Sequence, residues 1–468
     1  MKNARVPMKR RLATSIGALR NVKHMVVVGG GVGGLTFVNS LVKRARDCNA
    51  IDSLPRITVF CRRSLMRGLG LWPNSVRVLH KVGLENVLKS SGLKIPSAAY
   101  RSASGQWLSK CSATQENHER VVSLLEKDLL TALHQNVEGV EQIKFIDGNV
   151  VDICTKSKYN DDKGSNFFEI NYEDTERNEG GGMNWIESDF VIGADGTNSI
   201  TRRSSIFETE ATKNGISSKL VNTDEIVLSS ILGTKSATVD GSITPKLPAN
   251  ILKRCDYPFE TLGSHDGSRI RFACVPLVEN SIFFFATIPT KLLDLSKPFP
   301  EQLRTISAEL HQPIPDILSF VIENSLNVHS EPIYRFDDGS NQHSTTFNFN
   351  KILDRFYLIG DAWHAELHNL AQGAAVSIED AWELAHALTS ESTLSDAQVK
   401  FLDNRRVRIA KYKKFTFFTN CISDFDSYGN AGSAIRNSMR FVPPFINGKI
   451  FDYALAESLG GKFYRLSE

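Results

Sequence analysis

The residues HMVVVGGGVGGLT at positions 24–36 place a short apolar run directly before a group of glycines. The run His24–Val28 is rich in β-branched residues and predicts a buried strand, and residues 35–46 predict a helix. Between them, Gly29, Gly31 and Gly34 form a GxGxxG pattern, and these three and Gly33 are candidate cofactor-binding residues. Glycines at such a turn let a pyrophosphate approach the N–H groups at a helix N-terminus. The stretch predicts a dinucleotide-binding unit, with a glycine-rich turn that binds nothing as the alternative.

A second strand is predicted at residues 56–61, so residues 24–61 form a βαβ unit. Sites for NAD or FAD usually carry Asp or Glu at the end of this strand, where it accepts hydrogen bonds from the ribose hydroxyls. Here the residue is Cys61, followed by Arg62 and Arg63. A basic pair can hold a 2′-phosphate instead, which predicts NADP and makes Arg62 a candidate cofactor-binding residue. The alternative is that other groups hold the ribose and the arginines are solvated.

Length and composition set the class of protein. The chain has 468 residues, 55 Lys plus Arg, 52 Asp plus Glu and 41% apolar residues, which is ordinary for a globular protein and excludes collagen-like, mucin-like and wholly disordered chains. At roughly 150 residues per domain, two or three domains are expected. Ten of the Lys and Arg residues lie within positions 1–46, which contain no acid, so the rest is mildly acidic. We therefore expect no nucleic-acid partner.

Residues 1–22 form a basic, acid-free segment. It predicts either a presequence for mitochondria or another organelle, or a disordered basic tail of a cytoplasmic protein. No apolar run is long enough for a secretory signal or a membrane span. The seven cysteines form no CxxC pair, which disfavours a disulfide framework and a cysteine zinc site and favours an intracellular, reducing compartment.

Further along the chain the pattern changes twice. Residues 205–345 contain β-branched and aromatic runs (EIVLSSIL, RIRFACV, SIFFFATI) that predict strands of one antiparallel sheet. A buried strand at 356–360 and a helix at 374–389 return to the first type, and the remainder is predicted to be helical with a break at Pro443 and Pro444. The predicted segments are a leader or tail at 1–22, a first domain at 23–204, a sheet domain at 205–345, a return to the first domain at 346–390 and a helical region at 391–468.

Two further motifs complete a pattern with the glycines. VIGADGTNSITRR at 191–203 has the form GADGxxSxxR, and FYLIGDAWHAELHNLAQGAAVSIEDAWELAHAL at 356–388 combines GDAxH, QG and IEDAxxLAxxL. In this order and spacing they resemble the class A flavoprotein monooxygenases, the family of aromatic hydroxylases and related epoxidases. LGLWPNSVRVLHKVGL at 69–84 is also similar to a family segment. The resemblance spans residues 24 to about 410.

The resemblance implies an α/β fold with a Rossmann-like FAD-binding domain of the PHBH type, an inserted antiparallel β-sheet substrate domain and a C-terminal helical region. It implies FAD as cofactor and NAD(P)H and O2 as co-substrates. The implied reaction hydroxylates or epoxidises a small aromatic, polyene or other lipophilic substrate through a flavin C4a-hydroperoxide. The flavin carries this chemistry, so no protein nucleophile or metal is implied.

The resemblance also implies site residues. Asp361 would accept hydrogen bonds from the ribityl hydroxyls, or else cap the following turn. Asp195 and Arg202 would lie near the pyrophosphate and engage NAD(P)H transiently, or else only hold a strand-to-helix turn. The helix N-terminus at Gln372–Ala374 would face the flavin pyrimidine and stabilise the anion of reduced flavin. The remaining candidate cofactor residues, from the same motifs, are Gly196, Gly360, Gln372, Gly373 and Ala374.

Candidates for the substrate and for a membrane come from the remaining apolar segments. Phe272, Phe283 and Phe285 occupy alternating strand positions and are candidate walls of the substrate pocket, although such residues more often form core. Residues 411–418 and 439–450 mix basic and aromatic side chains, which predicts either peripheral membrane contact or amphipathic helices packed on their own protein. The oligomeric state is not predicted.

The chain departs from the family pattern at several positions. Cys61 replaces the ribose acid, Glu126 stands where the family has a flavin-side arginine, and Trp363 and Ala365 replace a small residue and a proline. These departures leave open a non-catalytic flavin- or nucleotide-binding protein of the same fold, NADP binding without flavin, and a flavoenzyme of other redox chemistry, such as dehydrogenation, halogenation or geranylgeranyl reduction. The HAELH sequence at 364–368 is not HExxH and lacks a third ligand, so no metal site is predicted.

Overall fold

The computed structural model of the chain describes most of residues 16–449. The described residues are 16–61, 67–95, 97–112, 120–157, 166–174, 183–213, 220–233, 245–263, 270–308, 310–324, 326, 328–336, 354–365, 372–423, 425 and 428–449. Residues 1–15 and the candidate Arg62 lie outside them.

The described residues contain helices and strands in a mixed order. The strands are β1 (His24–Val28), β2 (Arg56–Cys61), β3 (Gly68–Leu71), β4 (Leu93–Ile95), β5 (Ser97–Ser102), β6 (Trp107–Ser112), β7 (Val121–Leu125), β8 (Ile143–Ser157), β9 (Asn166–Asp174), β10 (Met183–Ser188), β11 (Phe190–Gly193), β12 (Leu220–Leu232), β13 (Phe259–Leu262), β14 (Arg271–Leu277), β15 (Ser281–Pro289), β16 (His329–Phe336) and β17 (Phe356–Leu358). The helices are α1 (Val32–Asp47), α2 (Pro73–Lys81), α3 (Glu85–Ser90), α4 (Glu126–Gln135), α5 (Ile200–Arg203), α6 (Ser205–Lys213), α7 (Ala249–Arg254), α8 (Phe299–Ser307), α9 (Ile314–Glu323), α10 (Asp361–His364), α11 (Gly373–Ser390), α12 (Leu394–Ser423) and α13 (Gly429–Asn437).

The first sheet has the strand order β10-β9-β8-β2-β1-β11-β17. Strands β8, β2, β1, β11 and β17 pair in parallel, and β9 and β10 extend the sheet as an antiparallel hairpin. All five residues of β1 are buried, as a central strand of a parallel sheet requires. The glycine turn therefore lies at the carboxyl ends of the parallel strands, where open α/β sheets bind ligands. The predicted α/β fold is confirmed.

The second sheet has the strand order β16-β12-β15-β14-β13-β5-β6. Its pairs are antiparallel except for β13 with β5, which is parallel. Strands β5 and β6 come from residues 97–112, so the sheet is not built from residues 205–345 alone, as the sequence predicted. One face of this sheet packs on α7, α8 and α9 in a separate apolar core.

A third sheet, with the order β3-β7-β4, joins the two larger ones. The buried Ser123 of β7 donates a hydrogen bond from its hydroxyl to the carbonyl oxygen of Pro276 in β14, 2.7 Å away. Gly68 of β3 packs so closely on β15 that a Cβ there would lie 2.5 Å from the ring of Phe283. The third sheet thus fixes the second sheet against the first domain.

The N-terminal segment enters the fold earlier than the sequence predicted. Residues 17–21 form a 3-10 turn, and Leu19 within it is 1% exposed in the core of the first domain. Gly17 leaves no room for a Cβ, which would lie 2.6 Å from the carbonyl oxygen of Thr389. The predicted boundary at residue 22 is therefore wrong: residues 16–22 belong to the first domain, and a leader or tail is a prediction for residues 1–15 only.

The C-terminal region is helical where it is described, as predicted. Helix α12 runs for 30 residues, and a further helix begins at Pro444, the second residue of the predicted break. Within the part of the chain that the structure describes, no helix combines the length and the apolar character needed to cross a membrane.

Candidate active site

The glycine turn between β1 and α1 is shaped by contacts that exclude a side chain. Gly29 has φ +114°, and a Cβ there would lie 2.3 Å from the carbonyl oxygen of Ala194, at the end of β11. A Cβ at Gly34 would lie 1.9 Å from the carbonyl oxygen of Gly29. Gly31, directly before α1, faces open space instead. Room for a ligand therefore exists at the N-terminus of α1, where the first-turn N–H groups have no helical acceptors.

The first and third motifs meet at one serine of α11. A Cβ at Gly33 would lie 2.2 Å from the hydroxyl oxygen of Ser377, and one at Gly360 would lie 2.4 Å from the same atom. Gly360 also has φ +60°, a conformation that other residues rarely adopt. Both glycines are thus needed for α1, α11 and the turn after β17 to pack together.

Asp361 begins α10 at this junction and remains partly exposed. Its Oδ2 accepts a hydrogen bond from the Thr197 hydroxyl at 3.4 Å, and its Oδ1 lies 3.8 Å from where a Cβ on Gly373 would stand. The carboxylate therefore lies between the second motif and the N-terminus of α11. Gln372, 5% exposed, precedes that helix, and Ala374 in its first turn is partly exposed.

Asp195 and Arg202 hold the second motif together. Asp195 accepts hydrogen bonds from the Ser199 hydroxyl at 2.6 Å and from the Thr201 backbone N–H at 3.0 Å, and burial raises its pKa despite these bonds. Arg202 is fully buried, and its Nη1 donates to the carbonyl oxygens of Asp361 and Ala362 at 3.1 and 2.9 Å. Burial lowers the pKa of Arg202 to about 10. This geometry favours the alternative role predicted for Asp195 and Arg202, which is to hold the strand-to-helix turn.

Gly196 completes that motif. It has φ +76° and open space beside its Cα. Unlike its two charged neighbours in the motif, it therefore remains available to a ligand. Its contact with a cofactor stays a prediction.

A buried group of charges lies behind the third motif. Asp380 accepts hydrogen bonds from the Gly360 backbone N–H at 2.8 Å, His364 Nε2 at 2.6 Å and Arg405 Nε at 2.6 Å. Burial acts to raise the pKa of Asp380, but Arg405 and His364 outweigh it and hold the pKa below its ordinary value. Because Asp380 binds the backbone of Gly360, it fixes the turn that presents Asp361.

Glu379 extends this group. It accepts hydrogen bonds from Asn74 Nδ2 and Arg405 Nη1, both at 2.7 Å, and from Arg408 Nε at 3.1 Å. We call Glu379, Asp380, Arg405 and Arg408 the core cluster; each is at most 3% exposed. The sequence indicated the motif IEDA but gave these side chains no role, since their arginine partners lie on another helix.

Two of the departures from the family pattern are accommodated in the core. Trp363 packs its ring 5.4 Å from that of Phe401 in α12, and Ala365 is 1% exposed. His364 of the HAELH sequence is bound to Asp380, while Glu366 and His368 lie outside the described residues.

Cys61 ends β2 against the glycine turn. A Cβ at Gly30 would lie 2.2 Å from its sulfur, and burial raises the pKa of the thiol to about 11, so the group is neutral at pH 7. In the parallel register, Cys61 lies beside the partly exposed Asp147 of β8. Sequence reasoning missed this carboxylate, which the neighbouring strand brings to the edge where the family has its ribose acid.

Glu126, the other departure, is paired with a base. Arg67 donates from Nε to Glu126 Oε2 at 3.0 Å and from Nη1 to Glu331 Oε2 at 3.1 Å. Glu126 is 7% exposed, whereas the side chains of Arg67 and Glu331 are 40% and 39% exposed. We call these three residues the cleft cluster. It links α4 and β16 through the residue that precedes β3, so it spans the junction between the first domain and the second sheet.

The candidate substrate residues divide between the two faces of the second sheet. Phe283 and Phe285 lie two residues apart on β15, partly exposed, on the face that contacts the third sheet. Phe272 lies on the opposite face, where it stacks on Phe284 at 5.4 Å inside the core. The prediction that Phe272 lines the pocket is therefore wrong, because it pairs across strands with Ala286 and not with a residue of the first face.

The residues around the junction fit a flavin dinucleotide. The glycines leave a cradle free of side chains at the start of α1, and Asp361 and the N-terminus of α11 lie beside it. A helix N-terminus favours an anion, and a carboxylate accepts hydrogen bonds from hydroxyl groups. The site thus offers groups for a pyrophosphate and for a polyol chain within one cleft.

The chain is similar in sequence to known FAD-binding proteins. A family model described as an FAD binding domain matches residues 23–239. The aurachin C monooxygenase/isomerase of Stigmatella aurantiaca is 23% identical over 414 residues, which cover 87% of this chain and 90% of that protein. The residues matched by the family model include both the glycine turn and the second motif.

Solved structures share the fold. Klebsiella pneumoniae HpxO, complexed with FAD and uric acid, aligns with a TM-score of 0.68 at 15% identity over 94% of this chain and 97% of that one. A substrate complex of salicylate hydroxylase aligns with a TM-score of 0.62 at 15% identity, covering 93% and 96% of the two chains. These likenesses confirm the predicted fold. The match to the FAD binding domain model confirms the predicted FAD cofactor.

Proposed function

We propose that this chain, a class A FAD-dependent monooxygenase, oxygenates a small aromatic, lipophilic substrate on the face of the second sheet that carries Phe283 and Phe285. The observation that carries the proposal is the convergence of all three motifs at Ser377 and Asp361. It supports a single cleft in which the glycine turn would bind phosphate and the Asp361 carboxylate would bind hydroxyl groups, next to the third sheet on which that face packs.

The residues that would hold FAD follow from the geometry. The first turn of α1, beside Gly31 and Gly196, would bind the pyrophosphate, and Asp361 would bind the ribityl hydroxyls. The N-terminus of α11 would face the pyrimidine edge and favour negative charge there. Held by these residues, FAD would supply the redox chemistry, which is hydride acceptance from NAD(P)H and activation of dioxygen for transfer to the substrate.

The protein's own contribution is to orient the substrate and exclude water from the reaction. Phe283 and Phe285 provide aromatic surface, with ring centroids 5.9 Å apart. Glu260 and Arg271 form an ion pair on the same face, 13% and 11% exposed. A planar ring with a polar substituent fits such a surface. The similar proteins include a 3-amino-4-hydroxybenzoate 2-monooxygenase and a salicylate hydroxylase, both named for aromatic substrates.

The test is oxygen transfer by FAD-loaded protein. With a panel of hydroxylated and nitrogen-containing aromatics, we expect a substrate to accelerate NAD(P)H oxidation and to take up one ¹⁸O atom from ¹⁸O2. Phe285→Ala, beside the unaltered Phe272 core, should raise KM for that substrate. Oxidation without ¹⁸O in the product would indicate another redox chemistry, and a protein that oxidises no NAD(P)H would be a binding protein.

We also propose peripheral contact between residues 429–449 and an anionic membrane. Ile435, Phe441 and Phe445 are 56%, 72% and 62% exposed, and the segment contains basic residues but no Asp or Glu. Exposed apolar side chains beside basic ones bind the interface of anionic bilayers. The other predicted stretch, 411–418, lies in α12 and buries Tyr412, which favours packing on the protein itself.

Sedimentation with lipid vesicles tests this contact. We expect more protein on vesicles with 30% phosphatidylserine than on pure phosphatidylcholine, and loss of binding in Phe441→Ser with Phe445→Ser. Val399→Ser with Val407→Ser, at exposed positions of α12, is the matched control. Equal sedimentation of the wild type with and without vesicles would refute the contact.

A further inference from the structure

The cleft cluster contains the partly exposed guanidinium of Arg67. It lies next to Glu126, the acid that stands where the family has a flavin-side arginine. Nε and Nη1 of Arg67 donate to Glu126 and Glu331, and within the described part of the chain Nη2 has no hydrogen-bond acceptor. With 40% of its side chain exposed, Arg67 can donate these remaining N–H groups to a ligand. Glu126 is nearly buried, so its side chain is not accessible to a ligand in the way that Arg67 is.

The position of Arg67 relates it to the flavin-binding groups. Burial alone would lower its pKa, but Glu126 and Glu331, with a smaller contribution from Asp361, hold the pKa above its ordinary value. The hydrogen bond from its Nε to Glu126 Oε2, 3.0 Å long, places Arg67 beside the position where the family has a flavin-side arginine. On the other side, the neighbouring Gly68 packs directly on Phe283. Arg67 therefore lies between the candidate FAD groups and the candidate substrate face.

Two carboxylates hold the guanidinium in place. Its two bonds come from elements on opposite sides of the cleft, α4 and β16, so neither acid alone determines its direction. The backbone adds a third tie, since the Glu126 N–H donates to the Arg67 carbonyl oxygen at 2.9 Å. Arg67 is thus fixed before any ligand binds, which reduces the entropy lost on binding.

We propose that Arg67, positioned by Glu126 and Glu331, is an FAD-binding residue that supplies from the start of β3 the positive charge missing at position 126. Glu126 then acts as a positioning residue and not as a lost contact. The proposal rests on FAD as cofactor and not on the substrate proposed above. It predicts that the chain binds FAD tightly with the positive charge at position 67 and the acid at position 126.

The experiment measures the dissociation constant of FAD for apoprotein by flavin fluorescence. Arg67→Met combined with Glu126→Gln removes both charges without leaving a buried unpaired carboxylate. We expect this variant to bind FAD at least about tenfold more weakly, the effect of losing one charge-assisted bond. Arg254→Met, which breaks an ion pair on α7 in the second domain, is the matched control and should bind within about twofold of wild type.

Variants that exchange the charges of positions 67 and 126 test whether FAD binding depends on the positive charge itself or on its location. Arg67→Glu should weaken FAD binding more than the neutral variant, and adding Glu126→Arg should recover most of the loss. Thermal unfolding of each apoprotein shows whether it is folded. Unchanged affinity in the neutral variant, or no recovery in a folded exchanged variant, would overturn the proposal. Both readouts are independent of turnover, so failure to oxygenate any substrate would bear on the proposed function alone.

Discussion

The core cluster and the cleft cluster are both built from acids and arginines, but they differ in burial. Arg405, Glu379 and Asp380 are fully buried, whereas Arg67 and Glu331 each expose about two fifths of the side chain. Charges in the interior interact strongly and are costly to leave unpaired, while exposed pairs are worth little to stability. The first cluster therefore maintains the turn that presents Asp361, and the second keeps a charge available to a ligand.

Breaking the core cluster should give the largest effect. Arg405→Met leaves Glu379 and Asp380 without their shared partner, and we expect the free energy of unfolding to fall by about 3–5 kcal/mol. Denaturant unfolding of the apoprotein measures this change. Lys400→Met, which breaks a partly exposed pair with Glu391, is the control and should cost less than about 1 kcal/mol. Equal losses in the two variants would remove the distinction between the clusters.

Asp361 lies between the core cluster and the candidate FAD cleft. Asp380 of the core cluster binds the backbone of the preceding Gly360, and the Asp361 side chain is partly exposed. Asp361→Ala should weaken FAD binding by about 1.5–3 kcal/mol, the value of hydrogen bonds to a charged group, because the ribityl hydroxyls lose an acceptor. Apoprotein stability should change by less than about 1 kcal/mol, since its one hydrogen bond within the described residues is long, at 3.4 Å. An unchanged FAD affinity, measured by fluorescence titration, would mean that Asp361 only caps the following turn and does not bind FAD.

Acid should weaken the fold in two stages. Burial first, and then Arg44 and Lys400, lower the pKa of His386 from 6.5 to about 4. Its contribution to stability is complete above pH 6.5 and is lost as the pH falls toward 4, by about 2 kcal/mol after allowance for solvent screening. Arg405 and His364 hold the pKa of Asp380 below its ordinary value, so the contribution of Asp380 is lost at lower pH than that of His386.

Urea unfolding at pH 7 and pH 5 tests this order. The wild type should lose stability between the two, and His386→Gln should lose distinctly less. An equal loss in both proteins would show that His386 does not titrate in this way.

The smallest expected effect is at the exposed edge of the cleft cluster. Glu331→Gln keeps the Arg67–Glu126 pair and removes one acceptor, so stability should change by less than about 1 kcal/mol. FAD affinity should fall slightly and by less than in Arg67→Lys, because one of the two acids that position the guanidinium loses its charge while Glu126 still holds it. An unchanged affinity would mean that Glu126 alone positions Arg67.

The sequence predicts those parts of the site that depend on local pattern. The glycine turn, the strand before it and the helix after the QG motif follow from composition and spacing over a few residues. The roles of Glu126 and Cys61 could not be read in this way. Glu126 meets Arg67 across 59 positions, and Cys61 meets Asp147 through the register of two parallel strands. Such contacts exist only in the folded chain.

The second sheet shows the same limit. Strands β5 and β6 pair with β13 by tertiary packing, which no local pattern specifies. Alternation correctly groups Phe283 with Phe285 on one strand, but it cannot relate them to Phe272 on another. That relation depends on the pairing of Phe272 with Ala286.

The most direct test of the central claim, that the altered cleft still binds FAD, is the visible absorption spectrum of the purified chain before and after incubation with FAD. We predict a flavin spectrum at about one FAD per chain, with the released cofactor identified as FAD, as one dinucleotide site per domain requires. A protein that stays colourless after incubation, while folded by circular dichroism, would contradict the claim.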